Sequence, residues 1–309
     1  MRTRLLLAAL AAAVIAAPAA WARLAEQPVI VGPRNQNNVA ADWNGTDEVI
    51  GWGQSRPGHP KAYDAWVRVG TGPAIKLNVG AQGWMGGIDY PLVAYQRFHN
   101  GRGDIALYDL SNGSRPATPA GVNTRKYEWH PTISGDWLLF GRIDRRFTAV
   151  VLHNMVTGEE RVLDRGKWRR LYLQPDRVNG NWVTYTRCPR TCAVIRYDIA
   201  AGTKTTLPRR ATRFSSFQYS SSVTSAGVVY LVRSGRLCGR RVKIVRFFAP
   251  GDPSTGTVLA GIARGRDTYG FYSYARENAD GSVDLFYDRA HCRSGKTDIY
   301  KVTDPAPGP

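Results

Sequence analysis

One segment of this sequence returns along most of its length. SGDWLLFGR (Ser134–Arg142) leads a Gly-Asp turn into the apolar strand Trp137-Leu138-Leu139-Phe140. A polar interruption, a second strand in TAVVLHN and a Gly turn in MVTGEERVL follow. The same order recurs downstream in NGNWVTYTRCPRTCAVIRYDIAAGTKTTLP (179–208) and upstream in DYPLVAYQRFHNGRGDIALYDLSNGSRPATP (89–119). Fainter copies occupy 46–78, 225–260 and 281–304. Six units at intervals of about 41 to 54 residues therefore account for nearly the whole chain.

Within each unit the strand candidates are β-branched or aromatic, and Gly or Pro marks every junction. The strand after the turn carries Val49-Ile50, Leu92-Val93, Trp182-Val183 and Leu285-Phe286-Tyr287. The next carries Trp66-Val67, Ile105–Tyr108, Val150–Leu152, Val194–Tyr197 and Ile299-Tyr300. No helical period persists. Small sheets of this kind cannot each bury both faces alone, but packed radially they can, and four strands at this period predict propeller blades. The expectation is an all-β, six-bladed β-propeller with four-stranded blades. PVIVG (Pro28–Gly32) is an unassigned strand before the first unit, and the last unit lacks an edge strand after Val302. The N-terminal strand is thus expected to complete the last blade and close the ring.

The units resemble the propeller repeats of TolB-like, WD40-like secreted bacterial proteins. The matching residues are the turn and strand in Pro131…Gly135-Asp136-Trp137 and Pro175…Gly180-Asn181-Trp182, with the closures YDLSNG, YDIAAG and HNMVTG. The Ser-Pro-Asp-Gly of that repeat is nowhere intact; Gln174-Pro175-Asp176 comes nearest. The resemblance implies a binding or scaffold protein whose ligand sits in the funnel or on a loop face.

The first 22 residues read as a signal peptide: Arg2 and Arg4 precede the apolar stretch Leu5–Ala17, and Ala20-Trp21-Ala22 supplies small residues at the cleavage positions. A retained membrane anchor is the alternative. The domain expected is then 23–304, a single propeller, with 305–309 a Pro-rich tail and no transmembrane segment after cleavage. The chain carries 42 Lys and Arg against 24 Asp and Glu, a formal charge of +18. Outside the cytoplasm such an excess favours anionic surroundings, among them phosphate-rich wall polymers and acidic glycans, although an evenly solvated basic surface would give the same total.

Four cysteines, Cys188, Cys192, Cys238 and Cys292, suggest two disulfides in an exported chain. Cys188 and Cys192 flank one hairpin, while Cys238 and Cys292 occupy the equivalent hairpin of units five and six. The expected pairs are Cys188–Cys192 and Cys238–Cys292. No metal-ligand spacing is present.

Signals for catalysis are sparse. There is no Gly-x-Ser-x-Gly elbow, and GWMGG (83–87) lacks the Lys and helix of a phosphate loop. Asp42, Asp89, Glu128, Asp176 and Glu277 lie near first strands, where a glycan-active enzyme would place its carboxylates, but spacing brings no two of them together. His130 reads as a packed or turn-capping residue. The sequons at Asn44 and Asn112 and the Arg-Gly-Asp at 102–104 all fit turn chemistry. The sharpest anomaly is RSGRLCGRRVKIVR (233–246), in which Arg233, Arg236, Arg240, Arg241, Lys243 and Arg246 meet no acid. It is either a solvated edge or an anion site. It lacks the interleaved aromatics of a single-stranded nucleic-acid binder.

These readings converge on a secreted or cell-envelope binding or scaffold propeller, acting as a monomer without catalytic residues or a cofactor. Its expected partner is a protein or an anionic envelope polymer. A glycan-active enzyme of glycosidase or lyase type is the alternative.

Overall fold

A computed structural model describes residues 25–99, 101–190, 192–207, 220–233, 243–247, 257–261, 267–291 and 294–305. Residues 1–22, expected to be a leader, Arg236, Arg240 and Arg241, and Cys238 and Cys292 lie outside the described residues.

The repeats fold as small antiparallel sheets. β1 (Gln27–Ile30) precedes unit one, which is β2 (Gln36–Trp43), β3 (Glu48–Arg56), β4 (His59–Val69) and β5 (Ile75–Lys76). Unit two is β6 (Gly83–Asp89), β7 (Leu92–His99) and β8 (Arg102–Asp109). Unit three is β9 (Tyr127–Ser134), β10 (Trp137–Ile143), β11 (Phe147–Asn154) and β12 (Glu160–Lys167). Unit four comprises β13 (Tyr172–Asn179), β14 (Trp182–Cys188), β15 (Ala193–Asp198) and β16 (Thr203–Thr206). Unit five comprises β17 (Ser221–Val223), β18 (Val229–Arg233), β19 (Lys243–Phe247) and β20 (Thr257–Gly261). Unit six supplies β21 (Asp267–Glu277), β22 (Val283–His291) and β23 (Thr297–Asp304). β1 adds to β23 antiparallel, pairing Gln27 with Lys301 and Pro28 with Tyr300, so this sheet also has four strands.

One expectation is corrected. Five blades are four-stranded, not six; unit two is a three-stranded sheet. Its missing edge lies in PATPAG (116–121), where Pro116 and Pro119 remove backbone donors from the segment that should pair with β8. The Asn123 side chain takes over instead. Its Oδ1 accepts the Ile105 N–H at 2.8 Å and its Nδ2 donates to the Ile105 carbonyl at 2.8 Å.

β2, β6, β9, β13, β17 and β21 are the innermost strands and neighbour one another in that order, with β21 next to β2. Apolar residues between sheets form the core, for example Leu139, Val150, Leu173, Val183 and Tyr185 between units three and four. Gly86 and Gly87 of GWMGG have a structural cause. A Cβ on Gly86 would overlap the Pro131 carbonyl oxygen, and one on Gly87 would come within 2.9 Å of the Thr132 Cα.

Side chains at the inner strand ends link each unit to the next. Asp42 accepts the Tyr90 N–H at 2.6 Å, Asp89 the Gly135 N–H at 2.7 Å, and Ser134 Oγ the Gly180 N–H at 3.0 Å. Asn179 Nδ2 donates to the Val223 carbonyl, Glu277 accepts the Ser225 N–H at 2.8 Å, and Trp43 Nε1 donates to Asn278. Asn44 and Asn112, the sequon residues, turn their side-chain oxygens onto backbone N–H groups of their own turns.

Candidate functional site: the axis and its two mouths

The inner strands do not alternate regularly. Register shifts interrupt β2 between Asn37 and Ala40, β6 between Met85 and Gly87, β13 between Pro175 and Arg177, and β21 between Tyr269 and Ser273. β9 shifts between Trp129 and Thr132. An extra residue in one strand re-aims the side chains beside it. His130 sits in such a bulge with φ of 52°, and Asn38 in another with φ of 51°.

These bulges bring side chains of distant units together on the axis. The His130 ring of unit three stacks on Tyr272 of unit six, centroids 5.2 Å apart. Its Nδ1–H donates to the Pro175 carbonyl at 2.8 Å, and burial lowers its pKa to about 4. Burial also raises Asp176 to about 7, against the hydrogen bonds from Ser221 (2.7 Å), Thr186 (2.8 Å) and Gln174 (3.1 Å). Asp288 is raised too, by burial opposed by the Asn38 N–H. Both acids are therefore held towards their neutral form. His130 is a packed residue, as its place in the repeat suggests.

Farther along the axis, Arg177 is 6% exposed and its guanidinium lies 3.5 Å over the Tyr274 ring. Burial pulls its pKa down, and Asp42, Asp89 and Glu277 oppose that pull. Asp89 is raised by burial and by Asp42, with the Gly135 N–H and Arg177 acting against. Of the five carboxylates near first strands, three thus share one mouth around Arg177. Asp176 lies deeper in the axis, and Glu128 is buried against Arg142 and Thr124.

The two ends of the molecule differ in charge. Hairpins between second and third strands, and links from one unit to the next, share one end; the first-to-second and third-to-fourth turns share the other. At the first end the exposed side chains include Lys61, Arg97 and Arg102 from units one and two. Arg125, Lys126, Arg145 and Arg146 follow around unit three, then Lys167, Arg169, Arg170 and Arg190. The carboxylates described at that end are buried or half-buried, with Asp64 held by Arg56 and Lys76, Asp164 by Arg187 and Asp298 by Lys296. At the opposite end Asp47, Asp136, Glu159 and Asp280 are exposed.

Half-buried aromatic rings surround the basic mouth. Tyr63 meets Trp84 at 6.3 Å, Trp84 meets Phe98 at 5.2 Å, and Phe98 meets Tyr127 at 6.3 Å. Trp129 continues to Tyr172 at 6.1 Å. Trp168, 37% exposed, lies on the link between units three and four.

The unit-five run is only partly visible. Arg233 pairs with Lys243 and Tyr230 with Arg246 across β18 and β19, so the segment bearing Arg236, Arg240 and Arg241 joins these two strands. A disulfide joins Cys188 to Cys192 in the equivalent hairpin of unit four. Among the described residues no helix is long and apolar enough to cross a membrane.

No protein-family model matches the sequence, and no curated protein matches it. Solved structures do share its fold. TolB from Acinetobacter baumannii superposes with a TM-score of 0.53 at 16% identity, over 82% of this chain and 63% of that one. The chain thus spans less than two thirds of that TolB's length. A protein of unknown function from Dyadobacter fermentans superposes with a TM-score of 0.56 at 10% identity, over 91% of this chain and 98% of that one. The chain has a TolB-like β-propeller fold.

Proposed function

We propose that this protein is a non-catalytic binding propeller of the cell envelope whose ligand is anionic and is met by the basic end. The observation that carries this reading is the division of charge among the described residues: exposed Lys and Arg crowd the hairpin-and-link end, while the exposed Asp and Glu lie at the other, where Lys204 is also exposed. A uniformly basic surface would give the same +18 without that polarity. The disulfide supports a location outside the cytoplasm, reached through the leader in residues 1–22. In this reading β1 closes a ring of six units, Cys238 pairs with Cys292, and the protein acts as a monomer.

Arg233, Arg236, Arg240, Arg241, Lys243 and Arg246 are the densest basic run of the sequence, and this reading counts them into the surface. Retention on a sulfonate matrix should fall steeply between low and physiological salt, because each contact releases a counterion. Charge reversal at Arg240 and Arg241 should lower retention more than reversal at Arg145 and Arg146. Equal effects would leave only general basicity, and retention indifferent to salt would overturn the reading.

The acidic mouth favours one rival, a glycan-active enzyme using Asp42, Asp89 and Glu277. Their hydrogen bonds to the next unit already give Asp42 and Asp89 a structural role. Release of reducing ends from a polysaccharide by the protein, abolished in Asp89→Asn, would establish the rival.

A further inference from the structure

The basic end carries aromatic rings as well as charge, and the two are interleaved along the chain. Arg125 and Lys126 lead directly into Tyr127, and Trp168, Arg169 and Arg170 lead into Tyr172. The sequence run in unit five lacks aromatics, so this pairing emerges only when the loops of different units are gathered at one end. Beneath the rings the axis is filled by His130 against Tyr272, so a ligand would lie across the mouth and not thread it.

We propose that the basic mouth binds an acidic polysaccharide, its pyranose rings stacked on the aromatic arc and its carboxylates held by the surrounding arginines. The inference rests on the reading of the basic end as the ligand face and names the ligand class. The C–H face of a pyranose is polarised positive by its ring oxygens and packs on the negative face of an aromatic ring. Arg supplies a planar fork matched to a carboxylate. Three features favour a glycan. The rings meet edge-on or tilted and each stays half-buried, so no two lie parallel with a slot between them for an inserted base. The rings of the arc are half-buried, and Trp168 is the more exposed ring beside them, unlike a cluster of projecting anchors that enters a bilayer. The disulfide fits a compartment outside the cytoplasm, where acidic glycans are among the available polyanions.

The test uses the purified protein with polygalacturonate, polyphosphate and oligo-dT as probes, followed by tryptophan fluorescence at 50 mM and 200 mM salt. Polygalacturonate should bind at low salt and lose at least about tenfold in affinity at the higher salt. Arg169→Glu with Arg170→Glu should weaken polygalacturonate and polyphosphate alike. Trp168→Ala and Tyr127→Ala should each weaken polygalacturonate about fivefold and leave polyphosphate unchanged, since only the sugar has a face to stack. Lys204→Glu, at the acidic end, should change neither; melting temperatures confirm that each variant is folded. Trp168→Ala and Tyr127→Ala without effect, or weakening both polymers equally, would overturn the glycan assignment while leaving an anionic ligand. Tighter binding of oligo-dT would overturn it in favour of nucleic acid. No binding of any polyanion at 50 mM salt would overturn both the assignment and the reading beneath it.

Discussion

Arg177 of unit four lies over the ring of Tyr274 of unit six, and the Tyr274 hydroxyl donates to the Ile88 carbonyl of unit two at 2.9 Å. Three units are thereby tied at the axis through one buried cation. Its surroundings explain why the charge persists there: Asp42, Asp89 and Glu277 oppose the desolvation of the guanidinium. Arg177→Met keeps the volume and leaves the acids without their cation. It should lower stability by about 3 kcal/mol at pH 7, within the range for breaking a buried charge cluster. In urea denaturation at pH 4 the loss should shrink, because burial holds Asp89 above the usual carboxylate range and it takes up a proton there. An equal loss at both pH values would mean that Arg177 acts by packing alone.

Asp176 and His130 pull pH dependence in opposite directions. The folded-state pKa of Asp176, about 7, exceeds its unfolded value, so the folded state holds the proton more tightly. Asp176 therefore favours folding at low pH, and that contribution is lost as pH rises towards 7. Asp288 acts in the same sense. The folded-state pKa of His130, about 4, lies below its unfolded value, so stability falls as pH drops from about 6.5 to 4. Asp176→Asn should remove the decline in stability as pH rises towards 7, and so deepen the net loss between pH 6 and 4. His130→Asn, which tolerates the φ of 52°, should remove that acid-side loss. Unchanged stability profiles over pH 4 to 8 in both variants would show that neither group titrates as its burial implies.

The second and third strands of each unit were legible because burial on both faces demands apolar runs, as in Trp137–Phe140 and Val194–Tyr197. Pro116 and Pro119 carried the signal for the missing strand of unit two, though the repeat pattern masked it. The axis was not legible. His130, Asp176 and Tyr272 reach it through bulges, which break the two-residue alternation that sequence patterns rely on. Nor did spacing foretell that Asp42, Asp89 and Glu277 share a mouth, since only the radial arrangement brings units one, two and six together. The charge division had a readable signal: each Lys or Arg can be assigned to an end by its place in the repeat. Unit five carries its arginines in one short run, whereas the hairpin-and-link end gathers Arg145, Arg146, Arg169 and Arg170 from separate loops.

Gly86 is where β6 passes closest to unit three. Gly86→Ala would drive a methyl into the Pro131 and Ala94 carbonyl oxygens, both backbone atoms that cannot swing aside. The cost should be about 2 kcal/mol or more, as for overpacking in a close-packed interior. Thermal denaturation should show a lower midpoint. A midpoint equal to the parent would mean that β6 and β9 can separate without penalty.

Asn123 stands in for the fourth strand of unit two. Its amide satisfies both the N–H and the C=O of Ile105, and Thr118 Oγ1 adds a bond to the same carbonyl at 2.9 Å. Asn123→Ala removes the N–H acceptor and one carbonyl donor, leaving the β8 edge open. The loss should be about 1 to 2 kcal/mol, because a partly buried amide is left without its partner. Asn123→Asp keeps an acceptor for the N–H but cannot donate to the carbonyl, so it should fall between alanine and the parent. An open edge is also a template for pairing with a second chain, so the alanine variant should form aggregates sooner on heating. Hydrogen exchange at the Ile105 amide gives the local readout. Faster exchange there, with β10 and β11 unchanged, is expected; parent-like protection of Ile105 would show that the segment 110–126 covers the edge without Asn123.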